Sequence, residues 1–200
     1  LLTQCKNLCL GGGVALNGVM NGKILRQTPF KNMFIQPAAG DAGSAMGAAL
    51  YTHHFILGLP RTYSMRHAFL GPHSSDKEIK KFLDAHRIVS TAFSSAQELV
   101  KTTAHLIYEN QVVGWFQGRM EWGPRALGAR SILANPCNPK MKDILNLKVK
   151  HREHFRPFAP VVCVEDAQKY FLCDKPLPKP TDFMLMVYPV QPEKRKLLPA

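Results

Sequence analysis

The stretch NLCLGGGVALNGVMNGKILRQTPFKNMFIQPAAGDAGSAMGAAL, Asn7–Leu50, carries the fold reading. Cys5–Leu10 reads as a short strand, and Gly11–Gly13 form a glycine loop. Val14–Gln27 follows with Val14, Leu16, Val19, Met20, Ile24 and Leu25 at helical spacing. Lys31–Gln36 reads as a second strand and Pro37–Gly40 as a turn. Asp41 is placed to N-cap a helix that runs to Gly58. Strand, loop and helix occur twice in order, which is the pattern of α/β architecture.

Outward from this block, Leu57–Pro72 is of mixed composition with two prolines and reads as a domain boundary. Beyond it, Ser75 and Glu78 make a capping box before IKKFLDAH, and Ser95 and Glu98 make another before LVKTTAHLIYEN. Strands are expected at Ile88–Phe93, Val112–Gln117, Ser131–Ala134, Pro160–Val164 and Phe183–Val190. A short helix is expected at Lys140–Leu147, a loop at His151–Pro160 and a helical turn at Asp166–Phe171.

The 200 residues are 46% hydrophobic and 20% charged, a globular composition rather than a disordered one. The 26 Lys and Arg against 14 Asp and Glu give a net charge of +12, which points to an anionic partner. No run approaches the roughly 18 apolar residues of a membrane helix. There is no secretory signal at LLTQCKNLCLGGG. The five cysteines, Cys5, Cys9, Cys137, Cys163 and Cys173, are odd in number and lack a C-x-x-C pair, which fits a reducing cytosol. The chain starts without Met and stops at KRKLLPA, and it reads as a piece of something longer.

Four segments carry candidate chemistry. CLGGGVALN, Cys9–Asn17, brings glycine N–H groups and a helix start together, as a phosphate loop does; a tight strand-to-helix turn has the same spacing. In QPAAGDAGSAMGAAL, Asp41 at a strand end suits a metal or a hydroxyl, and equally a plain helix cap. GWFQGRMEWGPRALGARSILANP, Gly114–Pro136, places Arg119, Arg125 and Arg130 among Gly118, Gly123 and Gly128, with Ser131 beside them. Guanidinium groups bind phosphate bidentately and glycines clear space for it. Glu121 is placed to hold an arginine or a metal, and Trp122 is the one aromatic placed as an exposed stacker. NLKVKHREHFRPFAP, Asn146–Pro160, adds Lys148, Lys150, Arg152 and Arg156, with a solvated basic run as the plainer reading. His151 and His154 lack zinc-ligand spacing. A compact phosphate site fits these clusters better than membrane adsorption or nucleic-acid binding, although the charge alone would permit a basic nucleic-acid-binding module.

GGGVALNG, IQPAAGDAGSAMGAAL, GWFQGRMEWGPRALGARSILANP and NLKVKHREHFRPFAP resemble, in order and spacing, blocks of the nodulation-type O-carbamoyltransferase family. The resemblance implies that residues 1–60 are the end of a sugar-kinase/Hsp70-actin-like transfer domain and 61–200 a truncated YrdC-like domain. It implies carbamoyl phosphate and ATP as substrates, a carbamoyl-adenylate intermediate, a hydroxyl-bearing acceptor, an iron-type or other divalent metal, and a cytoplasmic protein. It matches Gly11, Gly12, Gly13 and Asn17 to the nucleotide loop and Asp41 to a metal ligand. Arg119, Arg125, Arg130 and Ser131 match one catalytic block; Asn146, Lys148, Lys150, Arg152 and Arg156 match a second, phosphate-binding block. Gly18, Trp122 and Ala129 depart from the family's usual residues. The family's histidine metal ligands are expected upstream of Leu1 and a further block beyond Ala200. The transfer site is therefore expected to be incomplete in these residues, with the preceding part of the chain as a partner.

Overall fold

A computed structural model of the chain describes residues 3–173 and 175–197. The ends of both expected domains, Leu1–Leu2 and Leu198–Ala200, lie outside the described residues. The chain packs as two compact units, each an α/β assembly around a two-stranded sheet. The first unit is made of residues up to Leu70, Glu121–Leu127 and Cys163–Gln191. The second is made of Gly71–Met120, Gly128–Val162 and the residues from Pro192 on. The boundary expected near residue 60 concerns domains of a longer family protein; these packing units divide the chain differently.

In the first unit, β1 (Asn7–Leu10) and β2 (Asn32–Ile35) pair in parallel, Asn7 opposite Asn32 and Leu10 opposite Ile35. Between them run a 3-10 turn, Gly13–Leu16, and α1, Gly18–Gln27. Asn17 caps α1, its side chain accepting from the Met20 N–H at 3.1 Å, which separates the single expected helix into two pieces. Buried Met33 and Ile35 of β2 meet Ala15, Ala39, Ala68, Phe183 and Leu185 in the core. Asn21, fully buried on α1, donates to the carbonyls of Ala15 and Leu185, both at 2.9 Å.

Asp41 does not N-cap the following helix. It is the first residue of a 3-10 turn, Asp41–Gly43, whose cap is Gly40 with no side-chain bond. That turn leads into α2, Ser44–Tyr51, and a π-helical turn, Thr52–Ile56, none of whose residues is buried.

In the second unit, α3 (Asp76–Ala85) has the expected capping box, Ser75 and Glu78 bonding reciprocally. At α4 (Ala96–Tyr108) the box is split: the Ser95 hydroxyl accepts from the Glu98 N–H, while the Glu98 carboxylate reaches back to Ser94. β3 (Val113–Phe116) and β4 (Arg130–Leu133) form an antiparallel ribbon, Phe116 opposite Arg130 and Val113 opposite Leu133. A short α5, Met141–Asp143, continues as a π-helix over Ile144–Val149.

Three expected strands are absent from the described residues. Ile88–Phe93 and Pro160–Val164 find no partner strand, and Val89 and Val161 stand 98% and 87% exposed. Phe183–Val190 instead begins in a 3-10 turn, Lys179–Phe183, with Met184 left-handed at φ 55°; only Val190 bridges, to Phe171. That turn buries Phe183 and Leu185 together, which alternation along a strand would also allow, but it packs them on β2 without adding to its ladder. The expected helical turn is present as α6, Ala167–Tyr170.

Candidate functional site

The loops following β1 and β2 lie side by side, at the carboxyl ends of the parallel strands, where α/β sheets place ligands. The Gly12 N–H donates to the Ala39 carbonyl at 2.7 Å. Gly12 has φ 93°, the left-handed region that favours glycine. A Cβ built on Gly11, Gly12 or Gly13 would meet no atom within 4 Å, so this glycine loop is open to a ligand. Asn17, expected at a nucleotide, has its side-chain oxygen engaged as the cap of α1.

Asp41 is exposed beside this loop. No group of three or more His, Cys, Asp or Glu stands together among the described residues. A lone carboxylate does not make a metal site, so these residues do not by themselves fit the iron-type metal.

The arginine block is divided between the two units. Glu121–Leu127 belongs to the first, while Arg119, Arg130 and Ser131 belong to the second. Trp122 is not an exposed stacker. It is half-buried, its N–H donating to the Ala68 carbonyl at 2.6 Å and its indole Nε1 to Gln36 Oε1 at 3.3 Å. Arg125 Nη2 donates to the Leu16 carbonyl at 3.1 Å, on the 3-10 turn after the glycine loop. Buried Glu121 accepts the Leu127 N–H at 2.9 Å and so closes this segment on itself.

In the second unit, Arg119 leaves the end of β3 and Arg130 opens β4, so both sit at one end of the ribbon. Arg119 Nη1 donates to the Gly71 carbonyl at 2.9 Å, which uses one of its five N–H groups. Ser131 Oγ accepts the Gly128 N–H at 3.1 Å, and Gln117 donates to the Gly128 carbonyl at 3.0 Å, bracing the loop behind the arginines.

The second basic block is built on the end of the π-helix. Asn146 is fully buried and serves as its hub. Its amide donates to the carbonyls of His154 and Arg156, at 3.1 and 3.0 Å, and accepts from Arg152 Nε at 2.7 Å. Asn146 thus shapes the loop from within. The Arg152 guanidinium also lies over the Phe158 ring, 4.8 Å from its centre. Its two terminal nitrogens take no part in these contacts, and Arg152 lines a depression of about 490 Å³ with Leu147, His151 and Glu153. Lys148, Lys150 and Arg156 are exposed, Arg156 pairing with Glu153 at 2.8 Å. The Glu153 carboxyl is held below its ordinary 4.5, first by its own backbone N–H and then by the Arg156 charge.

Reading along the chain missed Gln36, which carries no motif of its own. The run Phe155, Pro157, Phe158 and Pro160 does read as a rigid, partly buried loop holding the basic residues still, and Phe158 lies half-buried against Arg152 while Phe155 is exposed. Asn21 did leave a signal, a polar side chain one helical turn after Asn17 on a face otherwise packed inward.

A family model described as the carbamoyltransferase C-terminus matches residues 104–200, and one described as the carbamoyltransferase N-terminus matches residues 2–50. The chain belongs to the carbamoyltransferase family. It is 42% identical, over its whole length, to 29% of nodulation protein NolNO of Sinorhizobium fredii. It is 37% identical over 98% of its length to 31% of nodulation protein U of Rhizobium tropici. An uncharacterized Synechocystis protein is 48% identical over 95% of the chain, which covers 31% of that protein. The chain spans about 30% of the length of these relatives. No helix among the described residues is long and apolar enough to cross a membrane.

Proposed function

We propose that the chain is part of an ATP-dependent O-carbamoyltransferase. Residues 61–200, read as YrdC-like, help form carbamoyl-adenylate from carbamoyl phosphate and ATP. Residues 1–60, read as the end of an actin-like domain, offer the nucleotide loop of the transfer site. Water releases phosphate from carbamoyl phosphate, the carbamate oxygen left attacks the α-phosphorus of ATP and expels pyrophosphate, and the adenylate so formed gives the carbamoyl carbon a good leaving group. An acceptor hydroxyl then attacks that carbon, AMP leaves with the C–O bond electrons, and the hydroxyl proton passes to solvent. The acceptor is a hydroxyl-bearing small molecule, and a cytoplasmic location fits phosphorylated substrates.

The observation that supports this most is Arg152. A buried amide and an aromatic ring hold its guanidinium in place, and Arg152 lines a depression with Leu147, His151 and Glu153. Such a pre-oriented fork suits the paired oxygens of a phosphate. Arg119, Arg130, Lys148 and Lys150 supply further positive charge in the same unit.

Calorimetric titration of the 200-residue chain with carbamoyl phosphate tests the assignment. Arg152→Ala should weaken binding about 10- to 150-fold, the loss of one charge-assisted contact, and Arg152→Lys should recover little of it. Unchanged binding in both variants overturns the role given to Arg152. Steeply salt-dependent binding of DNA or RNA without carbamoyl phosphate binding would return the chain to the nucleic-acid class.

A further inference from the structure

The seven residues Glu121–Leu127 lie 85 residues beyond Gln36 in sequence, yet they pack with the loops that follow β1 and β2. Three contacts hold them there. The Trp122 indole donates to Gln36 Oε1 at 3.3 Å, and Gln36 itself clamps the turn by bonding both the N–H and the carbonyl of Ala38. Gly123, at φ 106°, lies so close to Pro37 that a Cβ would come within 2.8 Å of its carbonyl oxygen. Arg125 Nη2 donates to the carbonyl of Leu16, the last residue of the 3-10 turn that the glycine loop enters. Leu127 then packs against the core of the same unit. Each contact lands on a loop after a parallel strand, and two of them land on the turn that receives the Gly12 N–H.

We infer that Glu121–Leu127 is a clasp on the glycine loop, and that Arg125 is a positioning residue for that loop rather than a phosphate ligand. The Nε of Arg125 is shut off from solvent and the Nη2 is bonded inward, so neither is presented to an incoming anion. The Leu16 carbonyl is the last of a four-residue turn too short to hold itself, because a single turn fixes many dihedrals for few hydrogen bonds. A guanidinium whose segment is anchored at Trp122 and Leu127 holds that carbonyl, and with it the Gly11–Gly13 loop and the N–H groups of Gly11 and Gly13. The idea that these N–H groups receive a nucleotide phosphate rests on the function proposed above. The clasp does not.

Amide hydrogen exchange on the ligand-free 200-residue chain tests the clasp. The bonded amides of Gly12, Ala15 and Asn17 report on the loop, and those of β3 and β4 report on the other unit. Arg125→Ala should speed exchange at the three loop amides about tenfold or more, the loss of one charged hydrogen bond, and leave β3 and β4 unchanged. Arg125→Lys, which keeps a donor for Leu16, should restore most of the protection. Unchanged exchange in Arg125→Ala overturns the clasp, as does equal acceleration in β3 and β4 in both variants. ATP titration followed by the Gly11–Gly13 amide resonances then separates the two readings. With the nucleotide reading correct, Arg125→Lys binds ATP nearly as the parent does and Arg125→Ala about tenfold more weakly. No ATP response at these glycines in the parent chain overturns the nucleotide reading and leaves the clasp standing on the exchange data.

Discussion

Asn146 shows how one buried polar side chain can hold a basic loop together from within. Its amide makes three bonds inside the protein, one of them with a charged donor, and nothing else in the loop replaces them. Asn146→Ala removes all three and strands the Arg152 Nε, so it should cost about 2–3 kcal/mol. Urea unfolding followed by circular dichroism measures this. A loss of only a few tenths would show that the loop is held elsewhere. Gly123 makes the opposite point, since it matters for the side chain it lacks. Gly123→Ala would place a Cβ against the Pro37 carbonyl in a backbone region unfavourable to it, for at least about 2 kcal/mol. Trp122, in the adjacent position, reports on this locally: its fluorescence should shift at lower urea in the variant, and an unshifted midpoint would contradict the tight approach.

At the scale of elements, the helix starts of the second unit depend on two carboxylates. Glu78 is held below its ordinary 4.5, first by the Ser75 backbone N–H, and Glu98 likewise, first by the Ser94 hydroxyl. A carboxyl lowered by folding stabilises the fold above its unfolded pKa and loses that contribution as pH falls through the folded value. Protection at the first turns of α3 and α4 should therefore be constant from neutral pH down to the ordinary carboxylate range and fall below it. Ser75→Ala and Ser94→Ala should shift that fall upward toward 4.5. Hydrogen exchange at Glu78 and Glu98 across acid pH checks it, and protection indifferent to pH would dismiss the carboxylates as caps. Leu50 and Tyr51 at the end of α2, and Phe55 and Ile56 in the π-helical turn after it, are all exposed.

At the scale of the molecule, a net charge of +12 surrounds any anion site, and basic residues on loops act together as well as singly. Carbamoyl phosphate binding should accordingly weaken severalfold as sodium chloride rises from about 50 to about 500 mM, because the Debye length shrinks from over 10 Å to about 4 Å. Isothermal titration at the two salt concentrations reads this directly. Affinity independent of salt would mean that a single buried contact carries binding and that Lys148 and Lys150 stand aside.

The sequence by itself determined the α/β order, β1 to β4 within a residue or two, the capping box of α3 and the family blocks. Each of these rests on local periodicity, on a cap's own backbone or on residue identity, which need no distant partner. Tertiary structure alone decided the fates of Ile88–Phe93, Pro160–Val164 and Phe183–Val190, since an apolar run becomes a strand only where another strand offers its unpaired backbone groups. It also moved Asp41 from helix cap to turn residue and tied down the expected stacker Trp122. And it separated Arg125 from Arg119 and Arg130, which share one motif in sequence but not one unit. Glycines at Gly118, Gly123 and Gly128 let the chain reverse between them, and where a chain goes after a reversal depends on what its side chains can pack against.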